Sequence, residues 1–72
     1  MKIYVDLLDE GTQVWRPVEA VQLDRDTYLM VEVNADPQGE RWAFSTGARV
    51  RCRPIHPSDG KEILVAYTEI ST

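Results

Sequence analysis

Apolar residues recur at every second position in several short stretches, each bounded by turn-forming residues. Ile3, Val5 and Leu7 alternate with Tyr4 and Asp6, the period of a strand with one face on a core. A second strand is expected from Gln13 to Leu23, with Pro17 marking an edge or a bulge because proline cannot donate to a ladder. From Tyr28 to Val33 the alternation loosens. Leu29, Val31 and Val33 face one way, Tyr28 and Met30 the other, and this third strand is expected to be covered on both faces. Trp42 and Phe44 share a face in a short fourth strand, and Val50 and Cys52 in a fifth. Glu62 to Ile70 closes the set.

Turn signals fall between these stretches at residues 9–11, 24–26, 34–39, 46–47 and 56–60, rich in Asp, Asn, Pro and Gly. Helix has no good place, since its best candidate, Val14 to Leu23, contains Pro17 well inside it. Five or six short antiparallel strands in so short a chain predict an all-β fold, a small SH3-like barrel in which closing the sheet hides its edges. An open meander, or a dimer completing a sandwich, is the competing architecture.

With 72 residues the chain makes one domain, residues 1–72, because a chain of this size buries only about 60% of its unfolded surface. Its 43% hydrophobic content supports a folded core. No apolar run reaches the roughly 18 residues of a membrane span, so a cytoplasmic protein with no membrane association is expected. Cys52 is the single cysteine; without staples, a chain this short leans on tight packing or on a partner, and a homodimer is one such solution.

Charge divides the chain. Residues 1–40 hold nine acids against three bases, whereas residues 41–72 hold three acids against five bases, within a net charge of −4. The overall acidity weighs against nucleic-acid binding. Asp6, Asp9, Glu10, Asp24 and Asp26 are candidates for an acidic surface that occupies a basic groove on another protein. Arg49, Arg51 and Arg53 alternate within one strand and project from one face, either as a stripe for an anionic partner or as a solvated face paired with acids such as Glu32 or Glu69. The paired, solvated face is the favoured expectation for them.

Trp15 and Pro17 share a face, with Arg16 between them. They form either an apolar platform of the kind that accepts extended peptides in SH3-like barrels or, as aromatic burial generally favours, part of the core. No catalytic residues are assigned. His56 is the single histidine and lies in a turn while Cys52 is expected to face the core, so the pair does not assemble a nucleophile. One histidine and one cysteine supply no metal site, and no glycine-rich phosphate loop is present. No cofactor is expected.

The stretches Asp9-Glu10-Gly11-Thr12-Gln13-Val14-Trp15-Arg16-Pro17-Val18-Glu19-Ala20 and Glu40-Arg41-Trp42-Ala43-Phe44, followed by Gly47 and Val50-Arg51-Cys52, resemble a set of small uncharacterised bacterial proteins. These share an acidic turn, a Val-Trp-Arg-Pro-Val-Glu-Ala strand and a later Trp-x-Phe strand. The resemblance runs from Tyr4 to Cys52. It implies a bacterial or phage origin and a small standalone β domain, with no activity attached. Two functions are therefore expected: a non-enzymatic protein-interaction module using Trp15, Arg16, Pro17, Arg49, Arg51 and Arg53, or an acidic inhibitor or immunity-type protein that blocks a nucleic-acid-handling enzyme.

Overall fold

In a computed structural model, residues 1–57 and 60–70 are described; Ser58 and Asp59, at the centre of the expected 56–60 turn, lie outside them. The chain forms five strands: β1 (Lys2–Asp6), β2 (Trp15–Gln22), β3 (Thr27–Met30), β4 (Arg49–Ile55) and β5 (Ile63–Glu69). No described residue is helical. Accordingly, no helix among the described residues is long and apolar enough to cross a membrane. The strands pair in chain order, and β5 returns to β1 to close the ring.

Four of the five junctions are antiparallel, and the closing one, where Tyr4 meets Val65, is parallel. Antiparallel pairing therefore holds as expected everywhere except at the closing seam. The reason is parity: when each of five strands reverses the one before it, the fifth runs in the direction of the first. The β5–β1 seam closes the ring, which takes the place of the open meander and of a sandwich whose second sheet a partner supplies.

The alternation seen along the chain decides what fills the ring. Ile3 and Val5 of β1, Val18 of β2 and Val50 of β4 are fully buried, and Val18 lies directly across from Ile3. Ala20 of β2, Tyr28 and Met30 of β3, Ala48, Cys52 of β4 and Ala66 of β5 join them in the interior, with Trp42, Phe44 and Leu64 packed against it. The third strand, expected from Tyr28 to Val33 and covered on both faces, ends at Met30, and Val31 and Val33 beyond it are exposed.

A second departure concerns residues 41–44. Trp42 makes one isolated bridge with Leu7 and no fourth strand forms there. Beyond Asp6 the tail of β1 still bonds β2 through Leu7 N–H and the Val14 carbonyl, while Leu8 N–H and Ala43 N–H bond the Arg41 and Asp6 carbonyls. The 41–43 segment therefore takes the edge of β1 that β5 no longer covers, over three residues only, and then turns away at Gly47.

The connection from β3 to β4 is long but tied at its base. Gly47 N–H donates to the Met30 carbonyl, and Met30 N–H to that of Ala48. Inside it, Asn34 Nδ2 donates to the Glu40 carbonyl at 2.7 Å, and Gly39 N–H to Asp36 Oδ1 at 3.0 Å. Gly47 has φ of +89°, a conformation that costs an L-residue roughly 1–2 kcal/mol. Gly47→Ala should therefore destabilise the protein by about 1 kcal/mol, seen as a lower urea midpoint at unchanged slope; an unchanged midpoint would contradict the strain. Elsewhere, the N-terminal ammonium bonds the Glu19 carboxylate and, with Lys2, holds it below the ordinary carboxylate range.

Candidate functional site

Trp15 opens β2 directly opposite Asp6 of β1, and strand alternation places both on the outer face. It is half-buried and does not belong to the interior cluster. Its indole instead forms a wall of a cleft of about 250 Å³ that also takes in Phe44, Ile55 and Tyr67, with Val65 and Ala66 beneath and Asp6, Gln13 and Arg53 at the polar margins. Val65 is only 7% exposed although its register with Arg53 is outward; it forms the floor.

A bulge aims Tyr67 at this cleft. Arg51 pairs with Thr68, but the next pair is Cys52 with Ala66, leaving Tyr67 without a cross-strand partner. An extra residue of this kind bends the strand and redirects a side chain. Tyr67 thus stands 46% exposed, with the Arg53 guanidinium 5.2 Å from its ring centroid. Such a contact contributes about 0.5–1 kcal/mol at an exposed site, and it fixes a cation at the rim.

Phe44 lines a second hollow as well, of about 460 Å³, together with Leu8, Val33, Pro37 and Trp42. The two hollows adjoin across Phe44. Glu40 orders this second wall, since it accepts from Trp42 Nε1 at 3.2 Å and lies 3.6 Å from Arg16 Nε. The Trp15 Nε1 donor, by contrast, is enclosed without an acceptor among the described residues.

The residues expected to act as one binding face are divided by the fold. Trp15 enters the cleft, Arg16 turns to the other side of β2 toward Glu40, and Pro17 is exposed opposite Tyr4. Arg53 joins Trp15 across the ring. Arg49 and Arg51 lie farther along the outer face beside Leu29 and Thr27. The expected pairing of this stripe with Glu32 or Glu69 is not what forms: Glu32 takes the Glu19 amide and Lys2, and Glu69 lies across from Val50. Among the described residues neither Arg49 nor Arg51 has an ion-pair partner.

The acidic candidates are divided too. Asp6, Asp9 and Glu10 gather at the β1–β2 end, where Asp9 pairs with Arg41 at 2.8 Å. Asp24 and Asp26 occupy the β2–β3 turn. The length of β2 separates the two groups by roughly 20 Å at about 3.3 Å per residue, so they do not make one surface.

Cys52 faces the interior and His56 the solvent, where His56 lies 3.3 Å from Glu62. No three potential metal ligands cluster among the described residues. Burial, with Asp26 adding to it, pushes the Cys52 thiol up to about 11 from an ordinary 9.0, and burial also raises Tyr28. Both groups are therefore kept neutral in the folded state. Below about pH 9 they are neutral in the unfolded chain as well and contribute no pH dependence. Between about pH 9 and 11 the unfolded chain loses protons that the folded chain keeps, so stability falls as pH rises through that window. Urea midpoints should decline from pH 9 to 11 in the wild type and less steeply in Cys52→Ala; equal slopes would show that the thiol is not the source.

Tyr67, Ile55 and Val65 are cleft residues that the sequence did not single out. Only a bulge signal could have revealed Tyr67, and nothing in Leu64-Val65-Ala66-Tyr67-Thr68 announces one. Comparison with family models, with curated proteins and with solved structures returns no match.

Proposed function

We propose that this chain is a non-enzymatic protein-interaction module, an SH3-like barrel of bacterial or phage origin that seats an extended peptide segment across the two hollows flanking Phe44. One observation carries the reading: Trp15, Phe44 and Tyr67, from three separate parts of the chain, converge on one cleft whose rim carries Arg53. Extended peptides bind such aromatic-lined grooves because their backbone is already ordered and alternate side chains drop into successive pockets. Each hollow would take one apolar or proline side chain, and Arg53 a neighbouring carboxylate.

The inhibitor reading loses support because its acids stand at opposite ends of β2. Peptide display against the folded wild-type chain tests the proposal. Enriched sequences should combine a proline or large apolar residue with an acid and should lose enrichment on Tyr67→Ala. A library that enriches nothing, or enriches equally on Tyr67→Ala, would remove the cleft as the binding site.

A further inference from the structure

Val21 of β2, Leu29 of β3, and Leu23 and Val31 just beyond the ends of those strands lie on the outside of the ring, on the part away from the aromatic cleft. Val21 and Leu23 are about half exposed and Val31 is 41% exposed. The register arranges them in rows across the strands. Val21 stands beside Leu29, which stands beside Arg49; Thr27 stands beside Arg51, and Leu23 N–H bonds the Thr27 carbonyl. Val31 N–H bonds the Glu19 carbonyl. The result is a block of four aliphatic side chains, bordered on the β4 side by Arg49 and Arg51 and on the β2 side, at the turn, by Asp24; Glu19, also on β2, is already paired with Lys2 and the N-terminal ammonium. Among the described residues the Asp24 carboxylate accepts from the neighbouring Arg25 amide alone.

We propose that this face packs against the same face of a second copy of the chain, with the two-fold axis running along the strand direction of β3. The charge pattern selects both the occupant and the axis. An axis across the strands would lay arginine border on arginine border, and like charges placed together are repulsive. An axis along the strands lays the β4 border of one copy over the β2 border of the other. Arg51, which lacks an ion-pair partner among the described residues of its own chain, then comes beside Asp24 of the second copy, while the aliphatic blocks cover each other. This is a self-complementary, isologous contact that closes at two copies. The face spans only three strands and three rows on a convex ring, which places the contact in the small, weak and salt-sensitive class.

The surface is independent of the peptide cleft, so each proposal can fail without the other. Sedimentation equilibrium of the full chain from micromolar to millimolar concentration tests the dimer. The wild type should show a monomer–dimer equilibrium that weakens as salt rises. Val21→Lys with Val31→Lys changes only exposed positions; it should keep the wild-type circular dichroism spectrum and raise the dissociation constant at least roughly tenfold. Asp24→Arg and Arg51→Asp should each weaken association, and the double variant should restore it. A wild type that stays monomeric throughout would overturn the proposal, as would a dimer indifferent to the two lysines. Capture of an acidic amphipathic peptide by a strictly monomeric chain would assign the face to a foreign partner instead.

Discussion

Ile3→Ala is expected to destabilise the protein by about 2–5 kcal/mol. Ile3 is fully buried, faces Val18 across the β1–β2 ladder, and is the largest of the completely enclosed side chains. Its loss opens a cavity where the ring cannot collapse, because each strand is held by hydrogen bonds on both sides. A chain of 72 residues has a total stability of roughly 4–11 kcal/mol at 0.05–0.15 kcal/mol per residue. The substitution therefore removes a large fraction of it. At about 4–8 °C per kcal/mol for a domain of this size, Tm should fall by at least about 8 °C in thermal unfolding followed by circular dichroism. A fall of only a degree or two would mean that β1 is not the buried, doubly paired strand described above.

Tyr67→Ala is expected to act in the opposite way, on binding and not on folding. The ring is 46% exposed and outside the interior cluster, and the bulge that carries it is a backbone feature. Removing it should leave Tm within a few degrees of the wild type. A selected peptide should nevertheless lose about 2 kcal/mol or more, roughly a thirtyfold rise in Kd, as aromatic anchors at the centre of small interfaces generally do. Part of that loss passes through Arg53, whose guanidinium would no longer be held over the ring. Isothermal titration of one peptide against both proteins reads the effect directly; an unchanged Kd would place the contact elsewhere.

The strand pattern was legible where alternation met a core. Ile3 with Val5 and Val50 with Cys52 were readable as inward-facing pairs because period-two burial leaves a direct imprint on residue type. The parallel seam leaves no imprint on residue type, and it follows only once the strands number five and not six. Trp42 and Phe44 read as a strand because two aromatics two residues apart look like one, whereas the chain uses them to cap the gap between β1 and β5. Covered faces were over-assigned at Val31 and Val33, because apolar residues on the outside of a ring cannot be told from core by type alone.

The site was legible in part. Trp15 and Arg53 were both singled out, but for separate faces, and it is ring closure that brings them to one cleft. The sequence neighbours Trp15, Arg16 and Pro17 seemed a unit and are not, since successive residues on a strand leave in opposite directions and Arg16 parts from Trp15 and Pro17. Tyr67 was invisible because a bulge is set by pairing across strands, which no single stretch of sequence records.

The central claim is that the Trp15 cleft receives a protein segment. The two indole N–H groups offer a direct readout of it, because Trp42 Nε1 is committed to Glu40 and Trp15 Nε1 has no acceptor among the described residues. The decisive measurement is a ¹⁵N–¹H correlation spectrum recorded during titration with a display-selected peptide. The account predicts a saturable shift of the Trp15 indole resonance, larger than that of Trp42, together with shifts of the Tyr67 and Arg53 amides. A peptide that binds with both indole resonances unmoved, and with its shifts gathered on β2 and β3 around Leu29, would contradict the claim.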